Sequence, residues 1–373
     1  SIGKFGGDTD NWMWPRHTGD FSIFRVYAGK DNRPAEYSEE NVPYKAEKWL
    51  DISLKGIEEG DFGMIMGFPG STERYMTSSE IDYMLEVDNP QRIYIRGERQ
   101  KILRQFMDAD QAIRIKYDSK YAQSANYWKN SIGMSRGIEK LNVRAKKAKQ
   151  EAEFQAWAEK NTLPEERFVD ALSLIERSQT EARKENATIQ YLSEAFMQSV
   201  ELVQTVLGVR DIEQFYKDYD ATADRAVAKR MFQIYRENNE LLPSIYAKID
   251  SEFGGDSDKY VDWLYDNSKL TTYEDFLAVA SLSAEEQTAV FTNDPVTELA
   301  TSIINLYREL VPAVQNTSAL YNEGHRLYIK GLMMMQPDKA WASDANFTIR
   351  LTYGNVLPYS PAHGTVHNHY TTL

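Results

Sequence analysis

The sequence predicts an α+β protein, predominantly α-helical, with a large helical domain inserted into an incomplete antiparallel β domain. Three observations lead there. Alternating aromatic and β-branched runs open the chain, helical periodicity with few breakers fills its middle, and strand-like alternation returns near its end. A β start, a helical middle and a β finish are what an insertion into a β domain looks like along a chain. The expected divisions are residues 1–74 and 346–373 for the β domain and 75–345 for the helical one.

In the first zone "FSIFRVYAG" alternates as a strand does, and "EKWLDISLKGIEEGDFGMIMGFPGST" holds two further strand-like runs. Turn signals stand at Glu59-Gly60-Asp61 and at Gly67-Phe68-Pro69-Gly70. These strands are too few to close a barrel or a sandwich by themselves. Helical spacing then runs through "NPQRIYIRGERQKILRQFMDADQAIRIKYDSKYAQSANYWKNSIGMSRG", and "GIEKLNVRAKKAKQEAEFQAWAEKN" is amphipathic with mixed charges three and four apart. Further helices are predicted after Leu163-Pro164-Glu165-Glu166 and across Thr188–Val206, Ala221–Glu237, Leu242–Phe253 and Asp294–Val311. Thr272, with Asp275 three residues on, reads as a helix cap. "EFGGDSDKY" lacks the alternating oxygen ligands of a calcium loop and reads as a Gly-Gly helix end followed by an acidic cap. The Met run in "GLMMM" is most simply a packed helix face. The β character returns in "NFTIRLTYGNVLPYSP" and "AHGTVHNHYTTL".

At 373 residues, 42% hydrophobic and 12% aromatic, the chain can fill two or three cores. Its net charge of -13 offers no basic stripe for phosphates, so no nucleic-acid partner is expected. With 0 Cys there is no thiol nucleophile, thiolate metal site or disulfide. No apolar run approaches the ~20 residues of a membrane span. The chain starts at Ser1 on strand-like "SIGKFGG", without Met or a leader, and reads as an excised piece of a longer protein.

Several groups of residues could carry chemistry. In "DNWMWPRHTGDF", Asp10 to Phe21, His17 and Asp20 stand three apart, as an acid–base pair or metal ligands would; a loop His beside an Asp is the simpler reading, and spacing does not say which residue matters. His363, His367 and His369 could offer imidazoles to zinc, although no acid lies in that tail. "GFPG" has no Lys-Ser/Thr continuation and is not a phosphate loop. In "SANYWKNS", Asn126 and Asn130 lie one helical turn apart beside Tyr127 and Trp128. Their side-chain carbonyls could accept from an ammonium without the desolvation cost of a carboxylate; two solvated Asn are the plain alternative.

The segment "GGDTDNWMWPRHTGDFSIFRVY" closely resembles the signature of the bacterial dipeptidyl-peptidase 7 / dipeptidyl-peptidase 11 family of serine exopeptidases. "GFPGSTERY", "NYWKNSIGM" and "TIRLTYGNVLPYSP" are similar to further family segments in the same order. The resemblance implies a chymotrypsin-like double β-barrel with a Ser-His-Asp triad and a helical domain over the active site. It places the triad Asp on Asp20, the receptor for the free peptide N-terminus on Asn11 and Trp12, and a further clamp residue on Asn126. It implies oligopeptide substrates with a free N-terminus, no cofactor, a periplasmic or cell-surface location, and leaves a homodimer open. The family's His motif and its Gly-Asn-Ser-Gly-Ser type motif are absent from this chain, so the isolated chain is expected to be inactive. No motif separates preference for acidic from preference for bulky apolar side chains. The alternatives are a non-catalytic helical peptide-binding module and a zinc hydrolase built on the His-rich tail.

Overall fold

The structure, a computed structural model, describes residues 23–161, 163 and 165–370. The chain divides into two compact units, one formed by Ser1–Thr72 with Ser343–Leu373 and the other by Glu73–Ala342.

The first unit holds the described strands in three antiparallel pairs. Strand β1 (Tyr27–Ala28) pairs with β2 (Val42–Pro43). Strand β3 (Phe62–Gly67) pairs with β4 (Arg350–Asn355), in a register that sets Met64 against Tyr353 and Met66 against Leu351. Strand β5 (Tyr359–Ala362) turns back on β6 (Thr365–His367) through Gly364, whose φ of 75° suits a residue without Cβ. The alternation of "FGMIMG" is thus realised, while the run Trp49–Leu54 forms no strand. A strand is stabilised by its ladder, and this run has none among the described residues. Phe62, Met64, Met66, Leu351 and Tyr353 are each more than half exposed, so one face of the β3–β4 ladder is apolar and open.

The second unit is helical. It begins with α1 (Ser78–Tyr83), a π segment Met84–Asp88, α2 (Asn89–Ala109), α3 (Gln111–Lys140) and α4 (Val143–Ala158). There follow α5 (Ala171–Thr180), α6 (Arg183–Tyr191), a second π segment Leu192–Met197, α7 (Glu201–Leu207), α8 (Ile212–Lys217) and α9 (Ala221–Asn238). The series closes with α10 (Ile245–Glu252), α11 (Ser257–Asn267), α12 (Tyr273–Ala280), α13 (Ala284–Thr292) and α14 (Pro295–Met335).

Local chemistry explains many of these boundaries. The amphipathic run at 137–161 is broken at Asn142, which takes the left-handed φ of 50° that Asn tolerates, so α3 and α4 are separate helices. Gly254 and Gly255 both have positive φ, and Asp256 then caps α11 by accepting from the amides of Asp258 (3.0 Å) and Lys259 (3.2 Å). Thr272 caps α12, accepting from the Asp275 amide at 3.1 Å. The helix predicted over Asp294–Val311 instead runs through Pro312 to Met335. Proline removes one amide donor and crowds one carbonyl, a local cost that the packing of a long helix on both sides outweighs. The Met run at its end is only partly packed: Leu332 is buried, whereas Met333 and Met334 are exposed.

The larger core surrounds α9, whose Val227, Met231, Phe232 and Tyr235 recur at helical spacing and meet Phe196, Tyr246, Tyr260 and Ile303. A smaller core joins Phe154 and Phe168 to Ile175, Leu327, Tyr328 and Leu332. The α14 helix spans both cores, which makes it the backbone of the unit.

Candidate active site

Asn11, Trp12 and Asp20, together with Trp14, Arg16 and His17, lie outside the described residues. Asn126 is described: it sits in the middle of α3 and is exposed, with half-buried Asn130 one turn further on.

What surrounds Asn126 follows from how α3 lies on α2. Asp110 closes α2 and opens α3, its carboxylate accepting from the Ala112 amide at 2.6 Å, and the two helices turn back on each other. The contacts run in antiparallel order. Asn89 Nδ2 donates to Ser135 Oγ at 3.0 Å, Arg92 Nη1 to Ser131 Oγ at 3.3 Å, and the Arg96 guanidinium lies 5.1 Å from the centre of the Tyr127 ring. Trp128 Nε1 donates to the Ile93 carbonyl at 2.9 Å, and a Cβ on Gly97 would stand 3.2 Å from that nitrogen. Tyr127 and Trp128 are therefore both tied to α2, and Asn126 is presented from the turn they anchor.

Beneath Tyr127 lies a buried charge cluster. Glu194, in the second π segment, accepts from Arg96 Nε at 2.8 Å and Nη2 at 3.1 Å, and from Arg92 Nε at 3.4 Å. Arg96 Nη2 also donates to Gln198 Oε1 at 2.8 Å. Arg96 is 9% and Glu194 4% exposed, so each charge depends on the other in a medium where an unpaired one is costly. The residue types alone did not single out this cluster, although Arg92 and Arg96 share one face of α2 at i, i+4. Glu194 joins them from 98 residues away in sequence, which no local pattern reveals.

Other buried or half-buried carboxyl groups of this unit stand apart from that cluster. Burial pushes the Asp88 carboxyl up to about 6, against the pull of Arg92. Burial and then the negative charge of Glu201 push Asp224 up to about 7, although it accepts from the amides of Glu201 (2.8 Å) and Leu202 (2.9 Å) and from the Tyr265 hydroxyl (2.7 Å). Glu201 in turn pairs with Lys120. His325 Nε2 lies 3.0 Å from Glu80 Oε1, and Glu80 Oε2 accepts from the Thr77 amide at 2.7 Å. Both the Asp224 and Glu80 carboxylates receive helix-terminal amides, which is structural work.

The His-rich tail assembles no metal centre among the described residues, where no group of three or more His, Asp or Glu side chains converges. His363 occupies the hairpin turn, the His367 ring centre stands 5.3 Å from that of Tyr359, and the His369 ring meets Tyr370 edge-on at 5.1 Å.

Comparison with known proteins gives these positions a context. The peptidase S46 family matches residues 1–211 and 207–373. Dipeptidyl-peptidase 7 of Porphyromonas gingivalis is 43% identical over 100% of this chain and 55% of its own length. The Asp/Glu-specific dipeptidyl-peptidase of the same organism is 37% identical over 100% of this chain and 55% of its own length. Among solved structures, Porphyromonas endodontalis DPP11 in complex with the dipeptide Arg-Glu matches with a TM-score of 0.81 at 31% identity, over 98% of this chain and 55% of that one. The chain thus spans about half the length of the curated relatives it matches. No helix among the described residues is long and apolar enough to cross a membrane.

Proposed function

Because the chain belongs to the peptidase S46 family, we propose that it is the central portion of a serine-type dipeptidyl aminopeptidase that removes dipeptides from the free N-terminus of oligopeptides. The observation that carries this reading is the match of 100% of this chain to relatives named as dipeptidyl-peptidases. In it, Asp20 orients the catalytic imidazole and stabilises the imidazolium formed when the serine hydroxyl gives up its proton. Asn11, Trp12 and Asn126 receive the substrate's ammonium. Holding that group at a set distance from the nucleophile makes the second peptide bond the one that is cut. The His and Ser of the triad belong to parts of the parent protein outside this chain, and the isolated chain is inactive.

The β unit is read as part of a chymotrypsin-like barrel into which the helical unit, residues 75–345, is inserted. The open apolar face of the β3–β4 ladder supports this, because such a face calls for covering strands. The enzyme is assigned to the periplasm or cell surface, where peptides are met.

The test uses the full-length parent enzyme. Unmodified peptides should yield dipeptides by mass spectrometry, and N-acetylated ones none. Asp20→Ala should lower kcat by about three orders of magnitude or more, since loss of a triad member leaves only residual rate. Turnover by that variant at the wild-type rate overturns the role of Asp20.

A further inference from the structure

We infer that Glu194 is a positioning residue for the substrate's amino terminus, acting through Arg96 and Tyr127 on the turn of α3 that presents Asn126; this rests on the proposed role of Asn126. The chain of contacts is continuous. The Glu194 carboxylate holds Arg96 by two hydrogen bonds of 2.8 and 3.1 Å, and Arg96 stacks its guanidinium 5.1 Å from the Tyr127 ring centre. Tyr127 is the residue next to Asn126, and its ring, 52% exposed, has Arg96 on one side as a fixed support. Trp128 provides the second anchor through its bond to the Ile93 carbonyl.

The placement of the acid matters. Glu194 projects from a π segment, the kind of helical irregularity that re-aims side chains and recurs at functional sites. Ser199 Oγ donates to the Glu194 carbonyl at 2.6 Å, which accommodates a backbone group of that irregular turn. A regular core helix would be served as well by an apolar side chain here, because replacing a buried ion pair by apolar groups is often neutral for stability. Placing a charged pair under an exposed aromatic beside Asn126 instead fixes geometry. An exposed Asn on a helix makes a useful clamp only if its helix turn does not shift when the ligand pulls on it.

The experiment is steady-state kinetics of the full-length enzyme on a peptide with a free N-terminus, with active-site labelling by a fluorophosphonate as the control for an intact nucleophile. Glu194→Gln should raise KM about tenfold with little change in kcat, the pattern of lost binding common to ground and transition states. Its effect should vanish in the Asn126→Ala background, because the acid works through that residue. Tyr127→Leu, an exposed change that leaves folding intact, should raise KM about threefold, as expected for one lost cation–π contact. A Glu194→Gln penalty that persists undiminished in the Asn126→Ala background, or a Tyr127→Leu enzyme with wild-type KM, overturns the inference. Asn126→Ala with wild-type KM instead overturns the reading of Asn126 itself. If Glu194→Gln does not fold, the Tyr127→Leu result decides.

Discussion

Single residues in this chain are set by partners that sequence does not place beside them. Asp224 is the clearest case: it lies on α9 but caps the first turn of α7 by accepting two amides and the Tyr265 hydroxyl. Its carboxyl is raised from 3.8 to about 7, first by burial and then by Glu201. The folded state therefore holds this proton more tightly than the unfolded chain. The stability it contributes is fully present below the unfolded pKa and is lost as pH rises through the folded one. As pH rises through that window, the unfolding free energy of wild type relative to Asp224→Asn should fall. Urea melts at several pH values measure it, and a difference that grows with pH would contradict the assignment. The sequence shows an Asp at helix position four of "ATADRAVAKRM" and nothing more, since burial of a charge depends on what packs over it.

At the scale of elements, α14 depends on two glycines seven residues apart. A Cβ on Gly324 would stand 2.7 Å from Ile175 Cγ1, 2.9 Å from the Ala171 carbonyl oxygen and 3.0 Å from the Ile175 amide, and backbone does not yield. A Cβ on Gly331 would stand 2.6 Å from the Phe154 ring. Gly324→Ala should therefore destabilise the protein by about 1–3 kcal/mol despite the better helix propensity of Ala. Gly133→Ala, where a Cβ meets nothing within 4 Å, should stabilise it by up to about 1 kcal/mol. Thermal melts of the two variants check the pair, and equal shifts would show that close approach is not what Gly324 provides. The elements whose ends are written in caps and glycines, such as α11 and α12, were legible beforehand. The passage of α14 through Pro312 was not, because a proline's local cost is weighed against contacts made 15 to 20 residues further along the helix.

For the molecule as a whole, the helical unit Glu73–Ala342 carries both described hydrophobic cores, while one face of the β3–β4 ladder is open. The ends of that unit meet, with the Tyr75 hydroxyl donating to the Ala342 carbonyl. Excised residues 73–342 should thus fold alone, giving a helical circular dichroism spectrum and one cooperative thermal transition. A spectrum of an unordered chain, or strong binding of a hydrophobic dye, would show that the unit needs its β neighbour.

The order of β, helical and β zones, the helix caps and the resemblance to an exopeptidase family were all determined by the sequence, because each is carried by side chains near one another along the chain. Asn126 was singled out in the same way, from the motif around it, and its role is the one proposed above. The Arg96–Glu194 support under Tyr127, the cross-helix cap by Asp224 and the continuation of α14 were decided only by tertiary structure. Each joins residues tens to a hundred positions apart, and their energetics come from the exclusion of water, a property of the packed molecule and of no local stretch of it.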